Sequence, residues 1–289
     1  MNPVDVLLHP LTQGPLLNAL VIAIFASVVC AVLSCWLVLI GWSLMGDAVS
    51  HAVLPGVVLA YALGLPFAVG ALVFGLLTVL LIGLIRDTTR VKEDAAIGTV
   101  FTTLFALGLV LISITPSAID LESILFGDLL GVTRTDLLQV VVLGAIVLVV
   151  LIAKRRDFTL YAFDPTHAHA IGLSPRLLGA ALLGLLALTA VVAMKTVGVI
   201  LVVAMLITPG ATAYLLTDRL PRMLVVAPIL AAGCAVTGVY LAYHLDTEPG
   251  AMIVLAQGLC FAFAFLFSPQ QGLVARRISG RSRLATARQ

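Results

Sequence analysis

Asp47 stands alone: between Val6 and Ile85 the chain has no other Asp, Glu, Lys or Arg. His51 follows four residues later, so on a helix the two side chains project from one face. A carboxylate beside an imidazole suits a borderline divalent cation such as manganese, iron or zinc. An ionisable group inside an apolar segment is a functional candidate, because leaving it unpaired in a membrane is expensive. A second reading stands beside the first. Asp47 is also placed to occupy the first turn of a helix, where the macrodipole favours a carboxylate, with His51 as its partner one turn on. Spacing alone does not choose between them.

Other polar groups have plainer readings. His167 and His169 lie in AFDPTHAHAIGLSPR (162–176). At i, i+2 they cannot share one helix face, so a solvated loop or short helix is the simpler expectation. In the same segment Asp164-Pro165 is a helix-start signal, Ala170 falls within the short helix, Gly172 is a stop and Pro175 begins the next helix. A short helix held by such flanks is a docking knob for a cytoplasmic partner. His244, Asp246 and Glu248 have ligand-type side chains, but they sit on a short polar turn where charges need no special reason. Such a turn could equally meet an extracytoplasmic partner. Lys195, just past a span, can snorkel to the headgroups. Thr208-Pro209-Gly210 is expected to break or kink its helix, and in transporters such breaks often line the pathway. No GxxxxGK[ST] phosphate loop, Ser/His/Asp set or HExxH motif occurs, so the chain reads as a non-enzyme.

The elements that carry these residues follow from hydropathy. Hydrophobic residues make up 62% of the 289, charged residues 10%, and mean hydropathy is +1.20. Soluble domains carry about 25% charged residues, so this is a polytopic all-α membrane protein. A span needs about 20 mostly apolar residues. About nine segments result: Leu16–Ile40, Ala48–Leu63, Pro66–Ile85, Ala95–Thr115, Thr135–Ala153, Pro175–Met194, Val197–Leu216, Met223–Tyr243 and Gly250–Ser268. The second is short and holds Pro55 and Gly56, so it is expected to be broken or to cross incompletely. Leu63-Gly64-Leu65-Pro66 is a hairpin signal between antiparallel helices.

With the N-terminus outside and the C-terminus in the cytoplasm, 14 of the 16 Lys and Arg fall on the cytoplasmic side, as the positive-inside rule expects. Arg134 and Lys195 are the exceptions. The N-terminal stretch has no Lys or Arg before its first apolar run, which argues against a cleaved signal peptide. Residues 1–275 read as one transmembrane domain with a cytoplasmic segment at 154–176. The remaining 276–289 form a basic tail, five Arg and no acid, suited to anionic membrane lipid. A net charge of +2 and 7% aromatic content give no nucleic-acid-binding face. Cys30, Cys35, Cys234 and Cys260 all lie in apolar stretches and read as small buried hydrophobes.

Three separated motifs, GDAVSHAVLPGVVLAYALGLP (46–66), FDPTHAHAIGLSPR (163–176) and TVGVILVVAMLITPGATAYLL (196–216), together resemble the membrane permeases of bacterial metal-uptake ABC importers. The likeness runs over essentially the whole chain, including LFGDLLGV (125–132). It implies the ABC metal-importer permease fold in the bacterial cytoplasmic membrane. It also implies a homodimer with cytoplasmic ATPase subunits, which bind the ATP, and an extracytoplasmic metal-binding protein. No permanently bound cofactor is implied; the metal is cargo. By position Asp47 and His51 match the family's metal-contacting D-x-x-x-H motif, and Asp164–Gly172 match its coupling helix. HAVLPG resembles the manganese/iron branch more than the zinc branch, so manganese is expected, with zinc or iron as alternatives. His167 and His169 receive no role. Composition and spacing leave two other classes open: a secondary transporter using Asp47 as a proton or cation site, and an integral-membrane enzyme.

Overall fold

The structure, a computed structural model, describes residues 14–115, 131 and 133–268. Most of LFGDLLGV, the N-terminal Asp5, the side chain of Lys195 and the tail 276–289 lie outside the described residues. Those that are described form helices joined by short turns. In a bilayer this is required, because each helix satisfies its own backbone hydrogen bonds where water is absent.

Helix α1 (Gly14–Ile40) is the central post. Its residues from Val29 to Leu37 are buried all round, and Ala19, Ala23, Ala26, Ser27 and Ser34 have no exposed surface. Small residues let neighbouring backbones approach, which is how helices associate where lipid tails are as apolar as leucine. The next span is α2 (Ser43–Ala52) followed directly by α3 (Leu54–Ala62). Pro55 has no N–H to give the His51 carbonyl, which explains the interruption. Val53 between them nevertheless keeps helical angles (φ −71°, ψ −21°), so the two pieces stack as one segment of 20 residues, Ser43–Ala62, long enough to cross. The expected break is therefore a local seam. Gly64 (φ +68°) turns the chain into α4 (Phe67–Thr88), and α5 (Glu93–Ile114) returns it.

Helix α6 (Arg134–Ala153) bends by 67° at Lys154 into α7 (Arg155–Phe163). Then come the short α8 (Pro165–Ala170), the long α9 (Pro175–Leu216), α10 (Leu220–Leu245) and α11 (Pro249–Phe267). Among the described residues seven helical segments are long and apolar enough to span a membrane, and the bent α6–α7 pair brings the number to eight; Val202–Leu216 is a shorter apolar limb. Eight of the nine expected segments thus have a counterpart in order, and the expected Val197–Leu216 is represented only by the shorter limb.

Helix α9 corrects one expectation. Its single non-helical residue is Gly198 (φ 71°, ψ 173°), and the helix runs through Pro209 and Gly210. On a straight helix Leu186 and Leu206 would stand about 30 Å apart. Both, however, lie within 4.0 Å of where a methyl on Gly46 would be, so the chain reverses between them. The break sits where a glycine can adopt positive φ. Proline 209 is tolerated because its surroundings hold the helix. The Ser34 hydroxyl donates to the Ile207 carbonyl (3.2 Å) and accepts the Gly210 amide (2.9 Å). Gly210 is needed for a different reason than the one expected: a methyl there would collide with Ser34.

A second close approach joins α3 to α4, where a methyl on Gly56 would run into the Gly70 carbonyl and one on Gly70 into that of Gly56. Gly83 has nothing within 4 Å of such a methyl. Gly70→Ala should therefore destabilise the protein by about 1–3 kcal/mol, as overpacking does, whereas Gly83→Ala should leave the melting temperature in detergent unchanged or slightly raised. Equal melting temperatures for the two variants would refute the close approach.

Candidate metal site and coupling helix

Helix α2 starts at Ser43, with Trp42 as an N-cap that makes no side-chain cap bond. Asp47 is the fifth residue of the helix, past the first turn, so the capping reading does not hold. Met45, Gly46, Ala48, Val49 and Ala52 are buried against neighbouring helices, which leaves Asp47 and His51 together on the partly open face. His51 Nε2 lies 3.3 Å from Asp47 Oδ1, with the His51 side chain 19% exposed and that of Asp47 33% exposed. The imidazole is held from the other side by α5. Its ring centroid is 5.7 Å from Phe101 and 5.3 Å, edge-on, from Phe105. Nδ1 is buried with no hydrogen-bond partner. Two aromatic rings one helical turn apart thus fix the ring so that Nε2 meets the carboxylate.

Such a pair offers one oxygen and one imidazole donor to a cation. Among the described residues no group of three or more His, Cys, Asp or Glu is placed to hold a metal. The Phe101/Phe105 clamp was not anticipated from sequence; its signal was two aromatics at i, i+4 in an otherwise lipid-type helix.

Helices α7 and α8 carry the candidate docking segment. Helix α7 was also missed, although Phe158, Tyr161 and Ala162 have helical spacing. Phe158 is 1% exposed and meets Trp36 edge-on at 6.2 Å, and Tyr161 lies 6.1 Å from Trp42. The elbow is thus anchored on the end of α1 and the start of α2. Helix α8 then begins as its residues dictate. The Asp164 carboxylate accepts the His167 amide at 2.9 Å, Pro165 fills the first turn, and Ala168 is buried. Gly172 (φ +89°) ends it: its amide reaches the His169 carbonyl and that of Leu173 the Ala168 carbonyl. This is a glycine-terminated helix end. Ala170, His167 and His169 face outward.

Among the described residues the other candidate ligands form no group of three or more. His244 packs on Tyr240 and Tyr243, and Asp246 is left-handed (φ 52°) at the end of α10. All four cysteines are free; Cys234 and Cys260 face each other with sulfurs 3.5 Å apart.

Residues 13–268 match the model of the ABC 3 transport family. The chain belongs to this family. Its relatives include the manganese transport system membrane protein MntB of Synechocystis sp. (strain ATCC 27184 / PCC 6803 / Kazusa), 48% identical over 96% of this chain and 90% of that one. A probable iron transport system membrane protein of Haemophilus influenzae (strain ATCC 51907 / DSM 11121 / KW20 / Rd) is 50% identical over 91% of this chain and 97% of the other. Among solved structures, PsaBC from Streptococcus pneumoniae in complex with Fab superposes with a TM-score of 0.86 at 39% identity, covering 93% of this chain and 97% of that one. This ABC 3 family member is thus a multi-pass permease, as the motifs implied.

The capping geometry of α8 is directly testable. Asp164→Ala removes the side-chain acceptor and should loosen α8 by about 1 kcal/mol. The His167 amide should then exchange with deuterium roughly fivefold faster in the purified protein, with α1 and α2 amides unchanged. An unaltered His167 rate would show that the carboxylate does not cap this helix.

Proposed function

We propose that the chain is the membrane subunit of an ATP-driven importer that moves a divalent transition metal, manganese first and iron second, into the cytoplasm by alternating access. The observation that carries this reading is the Asp47–His51 pair, 3.3 Å apart on the partly open face of an otherwise buried span. Family membership supports the ATP-driven class over a secondary transporter. The choice of manganese rests on the HAVLPG motif and on a relative named for manganese transport. Relatives named for iron keep iron as the alternative. Zinc ranks after both.

In this reading Asp47 and His51 contact the ion in transit. A homodimer brings two such pairs near its axis, which would complete a shell that one chain leaves partial. A carboxylate oxygen suits manganese and an imidazole suits iron, so the mixed pair accommodates both metals of this reading. The chain has no phosphate loop, so ATP is bound and hydrolysed by separate cytoplasmic subunits docked on α8 around Asp164, Pro165, Ala170 and Gly172. The elbow of α7 on Trp36 and Trp42 would transmit their motion to α1 and α2. An extracytoplasmic metal-binding protein delivers the ion. The cytoplasmic placement of 86–94, 154–176 and 218–222 is supported by their nine Lys and Arg.

The test is uptake of radiolabelled manganese by cells expressing the chain with its ATPase and binding protein. Uptake should vanish with an inactive ATPase, resist excess zinc, and fall to background in Asp47→Ala while dimer assembly persists. Near-normal uptake by Asp47→Ala removes that residue from the mechanism. Uptake that survives the inactive ATPase overturns the ATP-driven reading, and iron or zinc uptake in place of manganese overturns the choice of metal.

A further inference from the structure

Between α6–α7 and α10 the protein leaves an open groove of about 750 Å³. Both walls pack on α1, which forms the floor through Trp36, but α6 and α10 share no extensive contact with each other. The walls are apolar: Ile152 and Phe163 on one side, Leu224 and Val225 on the other. Arg155 and Arg156 stand at the edge, both exposed. Their neighbour Lys154 is taken by Asp157 at 3.1 Å, whereas neither arginine has an ion-pair partner among the described residues. Trp36 is 1% exposed, and its indole N–H has no hydrogen-bond partner.

From this juxtaposition we infer that the groove is a binding site for an anionic phospholipid, with the acyl chains between α6 and α10 and the phosphate on Arg155 and Arg156. The apolar surface does not stop at the groove. Ile146 and Val149 continue it along α6, and Ile229 along α10, at helical spacing and with exposed side chains. That is a track for an acyl chain lying along the span. The 67° bend at Lys154 turns α7 away from the span axis and so sets the two arginines at the end of this track, the position in which basic side chains next to a span meet anionic headgroups. Guanidinium pairs bind phosphate oxygens bidentately. Charge decides against other occupants. The chain's own tail from Arg276 carries five Arg and no acid, and would be repelled. A second copy docked by two-fold symmetry would bring the same arginines face to face.

The full chain in detergent tests this by thermal unfolding with added dioleoylphosphatidylglycerol or dioleoylphosphatidylcholine. At about 100-fold excess over its Kd the anionic lipid should raise Tm by about 5–10 °C, and the zwitterionic lipid by clearly less. Arg155→Gln with Arg156→Gln should abolish the difference, and the corresponding pair of Lys substitutions should retain most of it. Thr159→Trp, which fills the mouth without touching the charges, should also lose the increment. Equal shifts from both lipids, an increment that survives either the Gln pair or Thr159→Trp, or an equal shift from free glycerol 3-phosphate would each overturn the proposal. Conversion of dimer to monomer by the Gln pair, without a lipid effect, would assign the groove to a second copy instead. Because the readout is stability, its failure leaves the transport reading standing.

Discussion

The close approach of α1 to the second limb of α9 is the contact around which the other helices are arranged. At Ser34 and Gly210 the two backbones come near enough that a single methyl on the glycine would not fit. The serine hydroxyl uses both its donor and its acceptor across the gap, to the Ile207 carbonyl and from the Gly210 amide. In lipid there is no hydrophobic gain from bringing two apolar helices together, so contact distance and hydrogen bonding must supply the association. Because both limbs of α9 reach Gly46, the same packing also locates α2. The face of α2 that carries Asp47 and His51 is what remains open after that burial.

From α2 outward the structure separates two tasks by position. His51 is oriented by aromatic rings of α5, a contact without formal charge that holds the imidazole without neutralising the carboxylate. The α7–α8 elbow is oriented by aromatic contacts to Trp36 and Trp42, at the junction of α1 and α2. One junction therefore opens the helix that carries the candidate ion site and also holds α7, which leads directly into the candidate docking helix. Packed interiors transmit displacement because they compress little, so a rigid connection of this kind is suited to coupling the two.

Much of the architecture was legible in residue order. The spans, the Gly64 hairpin and both ends of α8 follow from charge-free runs, from proline and glycine positions and from an aspartate N-cap. Helix α7 was not legible as a helix because it is only partly apolar and its burial depends on distant tryptophans. The break in α9 was misplaced for a related reason. Proline is a strong local signal and glycine a weak one, yet Ser34, 176 residues from Gly210 in sequence, holds the helix through the proline, and the turn falls at Gly198.

The candidate site divides along the same line. Residue types at i, i+4 are local information, and the Asp47–His51 pair could be named from four residues of spacing. Whether Asp47 capped a helix or stood within one depended on where α2 begins, which the sharp turn after α1 decides. What surrounds His51 depended on α5, half a hundred residues away in the chain. By itself the sequence determined which groups could do chemistry and which segments lie in the membrane, because hydropathy and spacing act over one or two helical turns. Only the tertiary structure decided which faces stay open, where α9 reverses and what holds the imidazole, because those outcomes depend on contacts between helices far apart in the chain.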